Sequence, residues 1–206
     1  MRVPKGFAKK GETRVCRLKK SIYGNDNQNI CTVKKFLDYR FSIKDLGPLK
    51  YFLGIEVAIT KEGIVLSQRK YTIDILKESR MESCKPSAFP MEQNCKLMMD
   101  SGSSYVDAGR YRRLVGRLLY VTVTRPDIVF AVNTLSKFVA APRDAHMKAA
   151  ERVLKYLKAT AGQGIILKSS GEFCIEAYSD ADWGGCKMTR RSCTGYFISL
   201  GESPIS

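Results

Sequence analysis

The chain has 206 residues and a hydrophobic content of 44%, enough for one or two small domains. No apolar run approaches the length of a membrane span, so no spanning helix and no membrane partner are expected. Its 35 Lys and Arg against 20 Asp and Glu give a net charge of +15, which favours a polyanionic partner, most simply nucleic acid; a merely basic surface is the bland alternative.

Residues 1–24 are basic and nearly free of acid, as transit peptides are, but Pro4, Gly6 and Gly11 argue against an amphipathic helix there. A short amphipathic helix is predicted over Ile30 to Leu37, then a turn at Gly47 and Pro48. Tyr51 to Ile59 is rich in β-branched and aromatic residues and reads as a strand. Lys61 to Gly63 make a hairpin turn, and Ile64 to Ser67 pairs back. A helix is predicted from Arg69 to Met81. Pro86 and Pro90 keep the stretch 84–91 from being helix or central strand. Residues 92–109 are polar and read as a flexible linker.

Three helical patterns follow. The first carries Leu114, Val115, Leu118, Leu119 and Val123 at helical spacing, with Arg112, Arg113 and Arg117 on other faces. Pro126 stops it. Thr124 is a candidate cap for the second helix, with Asp127 in its first turn. That helix is mostly apolar and is predicted to run, buried, to about Ala140 before Pro142. Asp144 is the candidate cap of the third. Its Met147, Ala150, Val153, Leu154 and Leu157 form one face, and Lys148, Arg152, Lys155 and Lys158 the opposite one. Short strands are predicted at Gly164 to Lys168 and Phe173 to Tyr178.

Seven cysteines, at 16, 31, 84, 95, 174, 186 and 193, are odd in number and contain no CxxC. With His146 the single histidine, they do not give zinc-site spacing and fit free thiols in a reducing, intracellular compartment. His146 reads as a packing or surface residue. Tyr105, Val106 and Asp107 spell most of a polymerase Tyr-x-Asp-Asp turn, but Ala108 follows and polar residues flank it, so they read as linker.

The ordered set YRRLVGRLLY, TRPDI, FAVNTLSKF and VLKYLKAT resembles the polyprotein of copia-type retrotransposons, in the region between the reverse transcriptase palm and ribonuclease H. PKGF and VCRLKKSIYG resemble the segment ahead of the palm. CKPSAFPM resembles the link after it, with Phe89 in place of the usual threonine. YSDADWGGCKMTRRSCTGYFISLG resembles the start of ribonuclease H, which implies that Ser192 to Leu200 is a second strand paired antiparallel with the strand at Phe173 to Tyr178. The resemblance implies an α+β (α/β) fold in five parts. Residues 1–24 would be a reverse transcriptase remnant, 25–91 the palm-terminal β-hairpin and start of the thumb, 92–110 a polar linker, 111–162 a helical thumb or connection, and 163–206 the N-terminal part of an incomplete ribonuclease H-like sheet.

The same resemblance implies what is missing. The palm segment bearing the Tyr-x-Asp-Asp turn is expected between Gly24 and Asn25, so an internal deletion is inferred, and the later ribonuclease H carboxylates are expected beyond Ser206. Two-metal chemistry needs several carboxylates. Asp180 is the first ribonuclease H carboxylate and magnesium ligand by resemblance, and Asp182 a turn residue. Glu202 does not match the family's catalytic glutamate. Neither polymerase nor ribonuclease H activity is therefore expected of the chain alone. Magnesium is implied by the family, and no cofactor is expected in the isolated chain.

An RNA–DNA hybrid or other nucleic acid is the expected partner. Gly54 would allow close approach of a strand, or serve as a bulge. Arg112, Arg113, Arg117, Lys148, Arg152, Lys155 and Lys158 would track phosphates, or form solvated helix faces. Residual ribonuclease H activity with a partner supplying the missing helix is a further alternative. An open sheet edge is expected to invite association.

Overall fold

The computed structural model describes residues 27–44, 47–92, 97–169, 174–185 and 189–206. The chain divides into two units, Met1–Pro48 and Leu49–Ser206. The expectations for residues 1–24, and for a join between Gly24 and Asn25, lie outside the described residues. In the first unit, helix α1 spans Asn27–Phe41 and outruns the predicted 30–37 at both ends. No Gly or Pro interrupts it. It stops where Ser42 turns left-handed (φ 49°) and donates its amide to the Asp38 carbonyl at 2.8 Å, a C-terminal cap.

The second unit begins with β1 (Tyr51–Phe52), β2 (Ile55–Ile59) and β3 (Gly63–Ser67), joined in antiparallel order. The single strand predicted over 51–59 is two strands, because Leu53 and Gly54 both take positive φ and reverse the chain. A fourth strand, β4 (Gly164–Lys168), pairs antiparallel with β3, setting Val65 opposite Ile166. The sequence grouped this strand with residues 163–206; its hydrogen-bonding partner is instead the hairpin about a hundred residues earlier. Glycines admit it. A Cβ on Gly63 would lie 2.1 Å from the Leu167 carbonyl oxygen, and one on Gly164 2.0 Å from that of Leu66.

Helices α2 (Arg69–Glu78), α3 (Ala108–Val121), α4 (Val129–Ser136) and α5 (Asp144–Ala159) build the core, with a 3-10 turn at Pro126–Ile128. The carboxylate of Glu56 on β2 accepts from the Arg69 amide at 3.2 Å, so the sheet itself supplies the negative charge at the start of α2. The predicted apolar face of α5 is buried in full: Met147, Ala150, Val153, Leu154 and Leu157 meet Leu114, Val115, Leu118 and Leu135. Leu119 and Val123, predicted on the inward face, are exposed. The first helix has already ended at Val121, and Leu119 lies on its outer side.

Three helix boundaries differ from expectation because tertiary partners replace local caps. Thr124 caps nothing; it is buried, and its hydroxyl lies 2.9 Å from the Gln68 side chain. With its amide nitrogen toward α3, Gln68 donates to the last carbonyls of that helix, Val121 at 3.1 Å and Tyr120 at 3.3 Å. Helix α4 ends at Ser136, not near Ala140. The Tyr111 hydroxyl takes the Leu135 carbonyl at 2.8 Å, and the Arg112 guanidinium takes those of Val139 and Ala140 at 2.8 and 3.3 Å. Asp144 is the first residue of α5, not its cap. The imidazole of His146 fills that role by accepting from the Arg143 amide at 3.0 Å.

His146 is wholly buried, stacked on Phe138 at 3.8 Å, with Nε2 2.9 Å from the Met98 carbonyl. Burial is the main reason its pKa is lowered, so the imidazole stays neutral and packs. The Met98 contact belongs to a wider docking of residues 97–107, the stretch expected to be a flexible linker. Tyr105 donates its amide to the Pro142 carbonyl at 3.0 Å, and Asp144 its own to that of Ser103 at 3.0 Å. Leu97 and Tyr105 pack against the core. That apolar contact is what the polar average composition of the segment concealed.

Strands β5 (Ile175–Asp182), β6 (Cys193–Leu200) and β7 (Ser203–Pro204) form a separate antiparallel sheet, with β5 and β6 paired as expected. β5 is exposed along its whole length and has a ladder on one side only. The join to the first sheet is made by Ser203, whose hydroxyl accepts from the Lys168 amide at 2.8 Å, and by an ion pair between Lys168 and Glu202.

Arg125 is the buried charge of this unit, 3% exposed. Its guanidinium makes a two-pronged bond to Asp127 at 2.9 and 2.7 Å, and donates to the carbonyl and hydroxyl oxygens of Thr160, both at 2.7 Å. Tyr156 lies beneath it at 5.5 Å and donates its hydroxyl to Asp127 at 2.8 Å. Burial works to raise the Asp127 carboxyl, but the bonds from Arg125 and Tyr156 outweigh it and hold its pKa below the usual range. Arg125→Met should leave Asp127 with only the Tyr156 hydroxyl and the end of α5 without its guanidinium donor. We expect a loss on the order of 3 kcal/mol, read as a fall of roughly 6–12 °C in Tm by calorimetry.

Candidate nucleic-acid interface

The β1–β2 hairpin has an unusual tip. Tyr51, Phe52 and Leu53 are all exposed, Leu53 to 70%. Leu53 (φ 49°) and Gly54 (φ 84°) occupy the two turn positions, where asparagine and glycine are the relaxed pair. A leucine there bears backbone strain and exposes apolar surface. The turn is held from behind: the Tyr120 hydroxyl donates to the Leu53 carbonyl, and Tyr120 meets Tyr71 edge-on at 5.3 Å. A Cβ on Gly54 would touch the rings of Tyr120 and Tyr71 at 3.5 and 3.6 Å. The bare side of Gly54 therefore faces these tyrosines, and the residues displayed outward are Phe52 and Leu53. Lys70 sits 5.6 Å above the Tyr51 ring, so a cation flanks the aromatic tip. Burial is the main cause of a raised Tyr71 pKa, which keeps that hydroxyl protonated.

The seven helical cations divide by what already holds them. Arg112 is bonded to the turn after α4. Arg117 pairs with Glu78 at 2.6 Å, and Arg113 lies 4.0 Å from Asp107 while remaining largely exposed. Lys158 donates to the Cys84 carbonyl at 2.6 Å. Lys148, Arg152 and Lys155 line one groove together with Lys85, which the sequence did not single out. Arg152 also pairs with Glu92 at 2.6 Å. Lys85 was missed because it sits in a proline-punctuated stretch with no periodicity; that stretch lies along α5, with Ser87 donating its amide to the Lys155 carbonyl at 3.2 Å.

The carboxylates are placed as follows. Asp107 caps α3 by accepting from the Arg110 amide at 2.8 Å, so the Tyr-Val-Asp-Ala stretch is a helix start. Asp180 lies exposed on β5 opposite Gly195. Asp182 ends the strand, and its carboxylate covers the α-carbon of Gly185, as a turn residue would. Among the described residues, no three His, Cys, Asp or Glu side chains gather where they could hold a metal ion.

Residues 22–93 match the reverse transcriptase (RNA-dependent DNA polymerase) family, a span that contains the hairpin and α2. The chain is 44% identical over 185 residues, 90% of its length, to the retrovirus-related Pol polyprotein from transposon RE1 of Arabidopsis thaliana. It is 40% identical over 170 residues to an uncharacterized mitochondrial protein of the same plant, covering 82% of this chain and 70% of that one. The chain belongs to the copia-type retrovirus-related Pol polyproteins. A tobacco member, the Pol polyprotein from transposon TNT 1-94, is 33% identical over 194 residues. The chain spans 13% of the length of the RE1 polyprotein and 14% of the TNT 1-94 polyprotein. It is thus a reverse-transcriptase-domain portion of a retrotransposon Pol polyprotein. No solved structure matches it.

Within this Pol segment, Leu53→Asn would put the relaxed residue at the first turn position. We expect the second unit to gain about 1 kcal/mol, seen as a Tm rise of roughly 2–4 °C. A lower Tm would show that Leu53 is held by contacts the strain argument omits.

Proposed function

We propose that this Pol segment holds a nucleic-acid strand, with an RNA–DNA hybrid as its ligand, and carries out neither polymerisation nor cleavage by itself. The observation that carries the reading is the hairpin tip: a strained Leu53 turn displaying Phe52 and Leu53, with Tyr51 and Lys70 beside it. Exposed aromatic rings offer platforms for bases, and flanking cations attract the phosphate backbone. A net charge of +15 supplies a long-range field of the matching sign. The match to the reverse transcriptase family over this span supports the same assignment. The non-catalytic half of the proposal is supported by Asp107, which is committed to a helix cap, and by the family resemblance, which leaves Asp180 as one carboxylate where two-metal chemistry needs several.

The test is a titration of labelled RNA–DNA hybrid against the full chain at rising salt. Affinity should fall steeply and log-linearly with salt concentration. Phe52→Ala combined with Lys70→Glu should weaken binding about tenfold or more, because a stacking contact and a phosphate contact are lost together. Flat salt dependence, or a double variant that binds as well as the parent, would refute the reading. Magnesium-dependent cleavage of the hybrid that disappears with Asp180→Asn would refute the non-catalytic half of it.

A further inference from the structure

Helix α5 and the stretch 84–92 enclose a groove with a volume of about 520 Å³, well apart in sequence from the hairpin tip. That volume lies within the range of built ligand sites. Its rim carries Lys85, Lys148, Arg152 and Lys155 against one acid, Glu92, a local balance of four positive charges to one negative. Its inner surface is aliphatic, with Ala145 and Ala149 one turn apart on α5 and Met91 and Leu97 facing them. No aromatic residue lines it, so nucleobases would find no stacking platform.

Arg152 shows what the groove is built to receive. One of its terminal nitrogens already grips the Glu92 carboxylate at 2.6 Å. Its Nε is buried and, among the described residues, is the one buried side-chain polar atom without a hydrogen-bond partner. That grip on Glu92 shows that the groove already accepts a carboxylate, which a guanidinium binds by charge and hydrogen bonding together. The methionine and small residues beneath it adapt to aliphatic side chains. The groove wall is itself a stretch of peptide seated on α5, through the Ser87 amide and the Lys155 carbonyl.

We propose that this groove binds an acidic peptide segment of a partner protein, with aliphatic side chains on the Ala145–Ala149 floor and carboxylates on Arg152, Lys148, Lys155 and Lys85. Glu92 occupies the position of one such carboxylate and is displaced by it. The site is independent of the nucleic-acid tip and stands or falls separately.

The experiment uses the full chain and a fluorescent peptide rich in Glu and Leu, followed by anisotropy, with single-stranded oligothymidylate of matched charge as a second probe. The peptide should bind, and Lys148→Glu and Ala149→Trp should each weaken it tenfold or more. The first variant reverses an exposed charge and the second fills the floor without changing charge. Both should retain the parent's circular dichroism transition, and the charge-neutral Ala149→Trp should retain its hybrid affinity. Should Ala149→Trp fail that folding check, Lys148→Glu alone decides the case. Failure of the peptide to bind, or binding insensitive to the folded variants, overturns the proposal. So does an oligothymidylate affinity that drops with the same variants while the peptide stays weak, since the groove would then be a phosphate track.

Discussion

The guanidinium of Arg125 fixes three chain ends at once. It follows α3 directly, it clamps Asp127 in the 3-10 turn that starts the next element, and it takes the carbonyl and hydroxyl of Thr160 just past α5. Thr160 is four residues from Gly164, where β4 begins. The direction in which α5 ends therefore sets where β4 can start, and β4 must arrive beside β3 with no side chain at Gly63 or Gly164 to obstruct it. A buried charge is costly unless paired, and removing one partner leaves the cost without its compensation. Here a single cation satisfies a carboxylate, a helix end and an aromatic face, so little of it is left unpaired.

The hairpin shows the opposite economy. Its turn holds a leucine in a conformation that favours asparagine, and it leaves Tyr51, Phe52 and Leu53 in water. Nothing in the packing of the second unit requires those side chains outside. The Tyr71–Tyr120 pair and the Lys70 cation brace the turn from the protein side. Local strain and exposed apolar surface at one braced point are the features on which the nucleic-acid proposal rests. The basic groove on α5 differs in kind, with an aliphatic floor and a carboxylate already in place.

Sequence periodicity located the β2–β3 pairing and the inward face of α5, because each is decided by local alternation or helical spacing; it gave no sign of the turn at Leu53 and Gly54, and the β5–β6 pair came from the family resemblance. It failed where a long-range partner decides. Gly164 to Lys168 reads as a strand, but nothing in it says that β3 is its neighbour. Thr124 and Asp144 have the chemistry of caps, yet Gln68 and His146 perform the capping. Arg125, in a polar-looking turn, carries no sign of burial, although the two-residue offset to Asp127 allows the two-pronged bond. The helical cations form convincing stripes, and only contacts distant in sequence, such as Glu78, Glu92 and the Cys84 carbonyl, show that several are already engaged.

The hairpin, the four helices after it and β4 form one cooperative body, to which the β5–β6–β7 sheet is only appended. Native-state hydrogen exchange followed amide by amide tests this most directly. The amides of β4 and β3 should exchange with the same opening free energy as those of α3 and α5, and those of β5 and β6 at distinctly lower cost. If β4 instead exchanges together with β5 and β6, independently of β3, the pairing that closes the body around Arg125 is wrong.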